Sequence, residues 1–277
     1  MYSNHSRPDE QGFVVDAFGQ VMTEERSISS VEEIEKSGTI DVPRTGCKDI
    51  WGAYMVKGAM YGKHDIPLCP TTTKEVPKEI ITWVEAKSIY KKQMRLVGEN
   101  FRYDAFVCFY LDDHLFDGVR GVWHDSTHAL EVLQHFAGII TPDFSTYQDF
   151  PEPIKLYNTY RMRAFGYWLG KNGVSVINNV RWGTPESYRY CFDGIEKHSV
   201  VAIGTVGGNP RKYVDRVRFE RGLDELIRVL APHTIIVYGS AKYPCFEKLK
   251  EQGIRIVAFP SHTAKAFERR KQYEQGV

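Results

Sequence analysis

The sequence predicts an α/β fold of the (β/α)8 TIM-barrel type, incomplete or distorted, with a polar N-terminal arm. Short runs rich in β-branched and aromatic residues alternate with longer segments of helical apolar spacing, as in a parallel sheet covered by helices. The 277 residues are enough for such a barrel, which needs about 250. An open doubly wound sheet is the alternative, although no GxGxxG or GxxxxGKS/T phosphate turn follows an early strand.

The N-terminal segment, 1–45, is polar and predicts an arm with at most one short helix, in TEERSISSVEEIEKSG. Residues 46–277 are expected to form a single domain with a basic C-terminal helix. The beginning of this domain, 46–65, is rich in glycine and aromatic residues. These aromatic residues are expected to pack under the barrel or, alternatively, to form a lid or a partner contact. They include Trp51, Tyr54 and Tyr61.

Seven strands are predicted from the short apolar runs, and an eighth, ambiguous one is expected in the N-terminal third. The seven are 65–69, 105–111, 138–141, 174–180, 200–206, 234–239 and 254–259. Apolar residues recur every three or four positions at 152–173 and 217–232, which predicts helices. Gly173 and Gly253 occupy the positions of left-handed caps at helix C-termini.

Carboxylates follow two of the predicted strands, at the edge where parallel sheets collect their functional groups. Asp112 and Asp113 follow 105–111, and Asp143 follows 138–141. Because Asp112 and Asp113 are adjacent, at most one of them faces the interior. Neighbouring carboxylates acquire separated pKa values, which suits acid–base or nucleophilic catalysis. Asp143 is expected either to take part in such chemistry or to cap a turn.

Polar, aromatic and glycine residues at the other strand ends are candidates for substrate binding. The asparagines would orient a substrate without titrating, and the tryptophan would stack on a ring or serve in packing. The glycines of GTVGGNPRK suit close approach to a phosphate or nucleotide backbone, or a simple tight turn. The candidates are Ser145, Asn178, Asn179, Arg181, Trp182, Gly204, Thr205, Gly207, Gly208, Tyr238, Ser240 and His262.

Basic residues after the glycine loop and along the last helix are candidates for nucleic-acid contact, or a solvated face. They are Arg211, Lys212, Lys265, Arg269, Arg270 and Lys271. With 36 basic and 35 acidic residues, the net charge of +1 gives no global attraction to nucleic acid or membrane. Such a partner would therefore have to be held by a local patch.

Five scattered cysteines without a CxxC spacing predict reduced structural thiols and neither a metal nor a cofactor. A zinc site from Cys47, His64 and Cys69 is the alternative, although it lacks a recognised ligand spacing. The N-terminus has no apolar signal core, and about 18 consecutive apolar residues occur nowhere. We therefore expect an intracellular location and no membrane partner.

The stretch from TPDFSTYQDFP through NNVRWG to VVAIGTVGG resembles a bacterial, plasmid and phage family, the domain of unknown function numbered 4417, over roughly 65–260. That resemblance implies a mobile-element origin and the cytoplasm of a bacterial host. The order of a PD strand end, a glycine loop and TIIVYGS is similar to the C-terminal half of tRNA- and DNA-guanine transglycosylases. Those enzymes are (β/α)8 barrels that exchange a base with an aspartate nucleophile and a second carboxylate. The resemblance implies that Asp143 is the PD aspartate and that 204–208 hold the base.

Three hypotheses about function follow. The first is an enzyme acting on a nucleobase, nucleotide or nucleic acid by glycosidic base exchange or hydrolysis, which requires two carboxylates about 5–10 Å apart. The second is a non-catalytic protein that binds a nucleotide, a nucleic acid or a host factor. The third is a structural phage accessory protein.

Overall fold

The computed structural model describes residues 48–206 and 212–274, together with the backbone at 7–8 and 14–15. Arg7–Pro8 pairs antiparallel with Val14–Val15. The rest of the predicted arm at 1–45 lies outside the described residues, as do 207–211 of the glycine loop. The side chains of Arg269 and Glu274 are not described either.

Seven strands form one parallel sheet in which each strand lies beside the next along the chain. They are β1 (Ile80–Thr82), β2 (Tyr103–Cys108), β3 (Phe136–Ile140), β4 (Val176–Asn179), β5 (Val200–Gly204), β6 (Thr234–Tyr238) and β7 (Arg255–Phe259). The predicted α/β fold with a parallel sheet is therefore confirmed.

Helices connect most of the strands. They are α1 (Trp83–Leu96), α2 (Ser126–Leu133), α3 (Glu152–Lys171), α4 (Tyr213–Leu230), α5 (Pro244–Glu251) and α6 (His262–Glu274). Short 3-10 helices lie at Ala53–Val56, Asp113–Leu115 and Pro185–Arg189. The last of these is the only helix between β4 and β5.

The sheet is strongly curled. Tyr110, just after β2, stacks on Tyr238 of β6 with ring centroids 5.1 Å apart. Four steps across a flat sheet would separate these strands by about 19 Å, since neighbours lie about 4.8 Å apart. A Cβ at Gly204 of β5 would lie 2.7 Å from the Tyr110 ring, so glycine there makes room for the ring. The concave face carries a buried apolar cluster with members from β1 to β6, and the partly buried Phe259 of β7 packs against it.

Helix α6 spans the opening between the two edge strands. Lys265 Nζ donates to the carbonyl of Ile80 in β1 at 2.8 Å, and the amide of His262 donates to the Tyr238 hydroxyl at 2.9 Å. In the described parts of the chain no strand pairs with the outer edge of β1 or β7. The architecture is therefore a curled, incomplete barrel of seven strands.

Six of the predicted strands and both predicted helices are confirmed within a few residues. The strand predicted at 65–69 was wrong: Pro67 and Cys69 make only isolated bridges, to Tyr61 and Ile195. The true first strand, β1, is only three residues long and runs directly into α1 through a capping box of Thr82 and Glu85. The caps at Gly173 (φ +83°) and Gly253 (φ +85°) adopt the predicted left-handed conformation.

The aromatic segment after residue 46 packs against α3. Tyr54 meets Trp168 edge-on at 6.1 Å, and its hydroxyl bonds to Ser126. The Tyr160 hydroxyl donates to the carbonyl of Trp51 at 2.9 Å. The segment is thus attached to the outer helical layer.

Candidate functional site

A buried polar cluster lies at the carboxyl ends of β3 and β4, centred on Asp143. Asn179 Nδ2 donates to its Oδ1 at 2.9 Å, and Arg181 pairs with its Oδ2 at 2.8 Å. Both carboxylate oxygens are therefore engaged by residues from the next strand end. Asp143 is nine-tenths buried, so this pairing compensates for the loss of water around its charge.

Asn179 is held from three sides. The Tyr110 hydroxyl donates to its side-chain Oδ1 at 2.9 Å, and its backbone N–H donates to Thr141 Oγ1 at 2.8 Å. Burial, with a contribution from the charge of Asp143, raises the pKa of Tyr110 well above its usual value. The phenol therefore remains a hydrogen-bond donor that orients the amide towards Asp143.

The third support of Asn179 is Arg163, which α3 places wholly inside the protein. Its guanidinium donates to the carbonyls of Asn179 (3.0 Å), Asp193 (3.0 Å) and Cys191 (3.2 Å). Burial lowers the pKa of Arg163 to about 10, so the group is still charged at neutral pH. This arginine fixes the end of β4 relative to the chain that leads into β5.

Asp113 lies beside this cluster and faces Ser145. The Ser145 hydroxyl donates to its Oδ1 at 2.9 Å, and the Ser145 amide lies 3.4 Å from its Oδ2. Burial raises the pKa of Asp113; the bonds from Ser145 lower it, and the charges of Asp143 and Asp117 raise it further. The net effect is a carboxyl that holds its proton more readily than a free aspartate.

A polar network on α3 supports Ser145 from behind. Asn158 Nδ2 donates to the Ser145 carbonyl, and Arg161 donates to Asn158 Oδ1 and pairs with Asp117 at 2.8 Å. The Arg161 guanidinium lies 3.9 Å from the centroid of the Phe144 ring. The loop after β3 is thereby fixed in position.

A cavity of about 220 Å³ opens next to the cluster, between the ends of β4 and β5 and the start of α4. Arg181, Trp182, Tyr147 and Arg218 contribute to its wall. Arg181 therefore joins the cavity to Asp143. Among the described residues Arg218 makes no ion pair, so its charge is available to a ligand.

Trp182 also has a packing role. Its ring lies 5.4 Å from that of Phe219, and a Cβ at Gly222 would come within 2.1 Å of its Nε1. The indole is therefore seated on α4 while it lines the cavity.

Several other predicted site residues lie apart from this cluster, whereas Gly204 and Tyr238 border its Tyr110. Asp112 is exposed on the first turn after β2. Asn178 faces the outer layer, where its Nδ2 donates to the carbonyl of Cys69 at 2.7 Å. Thr205 Oγ1 donates to the Ser240 carbonyl at 3.1 Å, at the ends of β5 and β6. Gly207, Gly208 and Arg211 lie outside the described residues.

The basic candidates that the structure describes have different surroundings. Lys265 turns towards β1, as described above, whereas Arg270 and Lys271 are exposed on α6. Lys212 is exposed immediately before α4. For Arg269 no side-chain position is described.

Several residues of the cluster were missed by the sequence analysis, among them Tyr110, Asn158 and Arg161. Tyr110 ends an apolar run and has the pattern of a core residue. Asn158 and Arg161 lie three residues apart on α3, which puts them on one helical face. Polar side chains on the buried face of a helix were the signal that could have identified them.

Within the described residues no three His, Cys, Asp or Glu side chains converge as metal ligands. Cys47 lies outside them, His64 pairs with Asp193 at 2.6 Å, and burial raises the pKa of Cys69 to about 12. No helix in the described part of the chain has the length and apolarity needed to span a bilayer.

The fold and cluster define an α/β protein with an incomplete parallel barrel and a polar site at the carboxyl ends of its strands. The chain belongs to the family Domain of unknown function (DUF4417), whose model matches residues 59–260. It is also similar to the Gene 1 proteins of Mycobacterium phages D29 and L5, each 35% identical over 135 residues. These matches cover 49% of this chain and 48% and 57% of the relatives, so the chain spans about half of their length. No solved structure matches.

Proposed function

We propose that this phage-like protein binds the base of a nucleoside or nucleotide in the cavity beside Arg181 and acts on the glycosidic bond between that base and its sugar. The observation that carries the proposal is the position of Arg181, which lines the cavity and pairs with Asp143. Trp182 and Tyr147 line the same space. Aromatic side chains can stack on a planar base, and a guanidinium can pair with its phosphate, so this combination suits a nucleotide.

The size of the cavity narrows the class of ligand. Its volume of about 220 Å³ is below the roughly 300–1,000 Å³ of sites for drug-sized ligands. It therefore suits one ring system with a small substituent. An oligonucleotide would insert a single base here and leave its backbone outside, near Arg218.

Asp113 is the proposed general acid. It is not part of the cavity wall, so the scheme requires the bound nucleotide to extend past Arg181 and Asp143 to reach its carboxyl. In hydrolysis the bond between the sugar C1′ and the base nitrogen breaks, and the nitrogen retains the electron pair and takes the Asp113 proton. A water oxygen bonds to C1′ and returns its proton to the Asp113 carboxylate. In base exchange an incoming base takes the place of water. Asp143, whose two oxygens are engaged, orients Arg181 in this scheme; acting as the nucleophile would require it to release one of its partners.

A second candidate function is binding without catalysis, as an accessory protein for nucleic acid, nucleotide or a host factor. The complete pairing of Asp143 favours it, because a fully engaged carboxylate resembles a structural group. Asp112 is exposed, so it does not supply a second catalytic carboxylate, and this also favours binding without catalysis. Where the ligand is a nucleotide, the two functions share the cavity and differ only in whether a bond is broken.

Substitution of Arg218 by glutamine tests the binding step, since its side chain is exposed and its loss leaves no buried charge. We expect Arg218→Gln to weaken nucleoside 5′-monophosphate binding about fivefold, the effect of one exposed ionic contact, measured by calorimetry. Arg221→Gln, on the same helix and outside the cavity wall, should bind like the unaltered chain. Equal affinities for both variants, or no binding of any nucleotide or nucleobase, would refute the proposal.

A further inference from the structure

Helix α1 carries a second charged surface, remote from the cavity in the chain and not part of its wall. Its exposed cations are Lys87, Lys91, Lys92 and Arg95, named here the α1 basic face. The acid of this helix is Glu85, and its Oε2 accepts bonds from the backbone and hydroxyl of Thr82. The helix therefore presents four cations without a neutralising acid of its own.

The spacing of these cations forms a row. Lys87, Lys91 and Arg95 are four residues apart, which places them about 6 Å from one another along a row of about 12 Å. Lys91, Lys92 and Arg95 also border a shallow groove of about 310 Å³. Within the described residues none of the four forms an ion pair.

Helix stability does not account for this row. Like charges four residues apart destabilise a helix. The helix dipole favours cations only near the C-terminus, which explains Arg95 but not Lys87. The Nζ of Lys87 instead lies over the Trp83 ring, 5.3 Å from its centroid.

We propose that the α1 basic face binds the phosphate backbone of duplex nucleic acid. A duplex strand carries one charge per about 3.4 Å of its axis, so several phosphates lie within reach of the flexible side chains of a row of about 12 Å. Binding of single strands also requires aromatic platforms for the bases, and this face offers none. Trp83 is buried, and Tyr90 packs against Phe101 (6.1 Å) and His135 (5.5 Å).

The proposal is independent of the glycosidic chemistry, since α1 contributes nothing to the cavity wall. A protein that binds nucleotides in the cavity need not bind a duplex, and the reverse also holds. If both proposals are correct, the α1 basic face is a second site, which binds duplexes of any nucleotide sequence with an affinity that falls as the salt concentration rises.

The test compares two triple variants of equal charge. In Lys91→Gln/Lys92→Gln/Arg95→Gln the α1 basic face loses three charges; in Lys197→Gln/Lys242→Gln/Lys248→Gln three exposed cations elsewhere are lost. Binding of a fluorescent 20-base-pair DNA and of a duplex RNA of equal length is measured by anisotropy between 50 and 200 mM salt, conditions in which phosphate contacts dominate the affinity. Circular dichroism verifies that both variants are folded.

We expect the slope of log affinity against log salt, which is negative, to become shallower by about 2 to 3 in the α1 variant, since each contact contributes about 0.9 to its magnitude. The control variant should retain the slope of the unaltered chain. Equal slopes for the two variants, or no duplex binding, would overturn the proposal. Tighter binding of a single strand, or α1-dependent binding of anionic vesicles in place of a duplex, would overturn it as well.

Discussion

Two aspartates at neighbouring strand ends acquire different properties from their surroundings. Asp143 is paired with a guanidinium and an amide, whereas Asp113 receives bonds only from Ser145. Burial without a cationic partner makes Asp113 the better proton donor. That two carboxylates in one site take separate roles stays a prediction, and the sequence could not indicate which aspartate would receive the arginine.

The raised pKa of Asp113 predicts a pH-dependent effect of Asp113→Asn on stability. A carboxyl with a raised pKa favours the folded state below its unfolded pKa, about 3.9, and this contribution is lost as the pH rises through the folded value. The free energy of unfolding of the variant, minus that of the unaltered chain, should therefore increase from pH 4 towards neutrality. Urea titrations at several pH values measure it.

A matched variant, Asp112→Asn, controls for the loss of one negative charge at the same strand end. A difference for Asp113→Asn that stays constant with pH would show that the carboxyl is not perturbed by its surroundings.

At the scale of elements, the apolar runs predicted the strands well because most are buried on both faces. The exceptions have local causes. The segment 65–69 has the composition of a strand, but Asp65 adopts a positive φ of 55° and the chain makes only isolated bridges. β1 was not located because three residues are too few to show a pattern before the capping box begins α1.

The contact between α6 and β1 predicts different effects for two lysines that the sequence placed in one basic stripe. Lys265→Ala removes a hydrogen bond to the carbonyl of Ile80 and should lower the free energy of unfolding by about 1 kcal/mol. Lys271→Ala, at an exposed position, should change it by less than about 0.5 kcal/mol. Chemical denaturation of both variants measures this. Equal effects would mean that α6 does not stabilise the opening of the barrel.

At the scale of the whole molecule, the site is assembled from four elements that the sequence could not bring together. Asp113 follows β2, Ser145 follows β3 and Asn179 ends β4, while α3 supplies Asn158 and Arg161. Strand ends could be predicted from composition, so Asp113, Asp143, Ser145, Asn179 and Arg181 were candidates from the sequence. Their pairing depends on the curl of the sheet and on the buried position of α3, and neither is encoded in any local pattern.

The central claim is that this site breaks or exchanges a glycosidic bond, and release of free base tests it most directly. The full chain, Asp113→Asn and Asp112→Asn are incubated with nucleosides and nucleoside 5′-monophosphates, and free base is quantified by chromatography. We predict release by the unaltered chain and by Asp112→Asn, and a decrease of at least about 100-fold for Asp113→Asn, the effect of losing a general acid. Equal release by Asp113→Asn, or nucleotide binding without any release by the unaltered chain, would contradict the account.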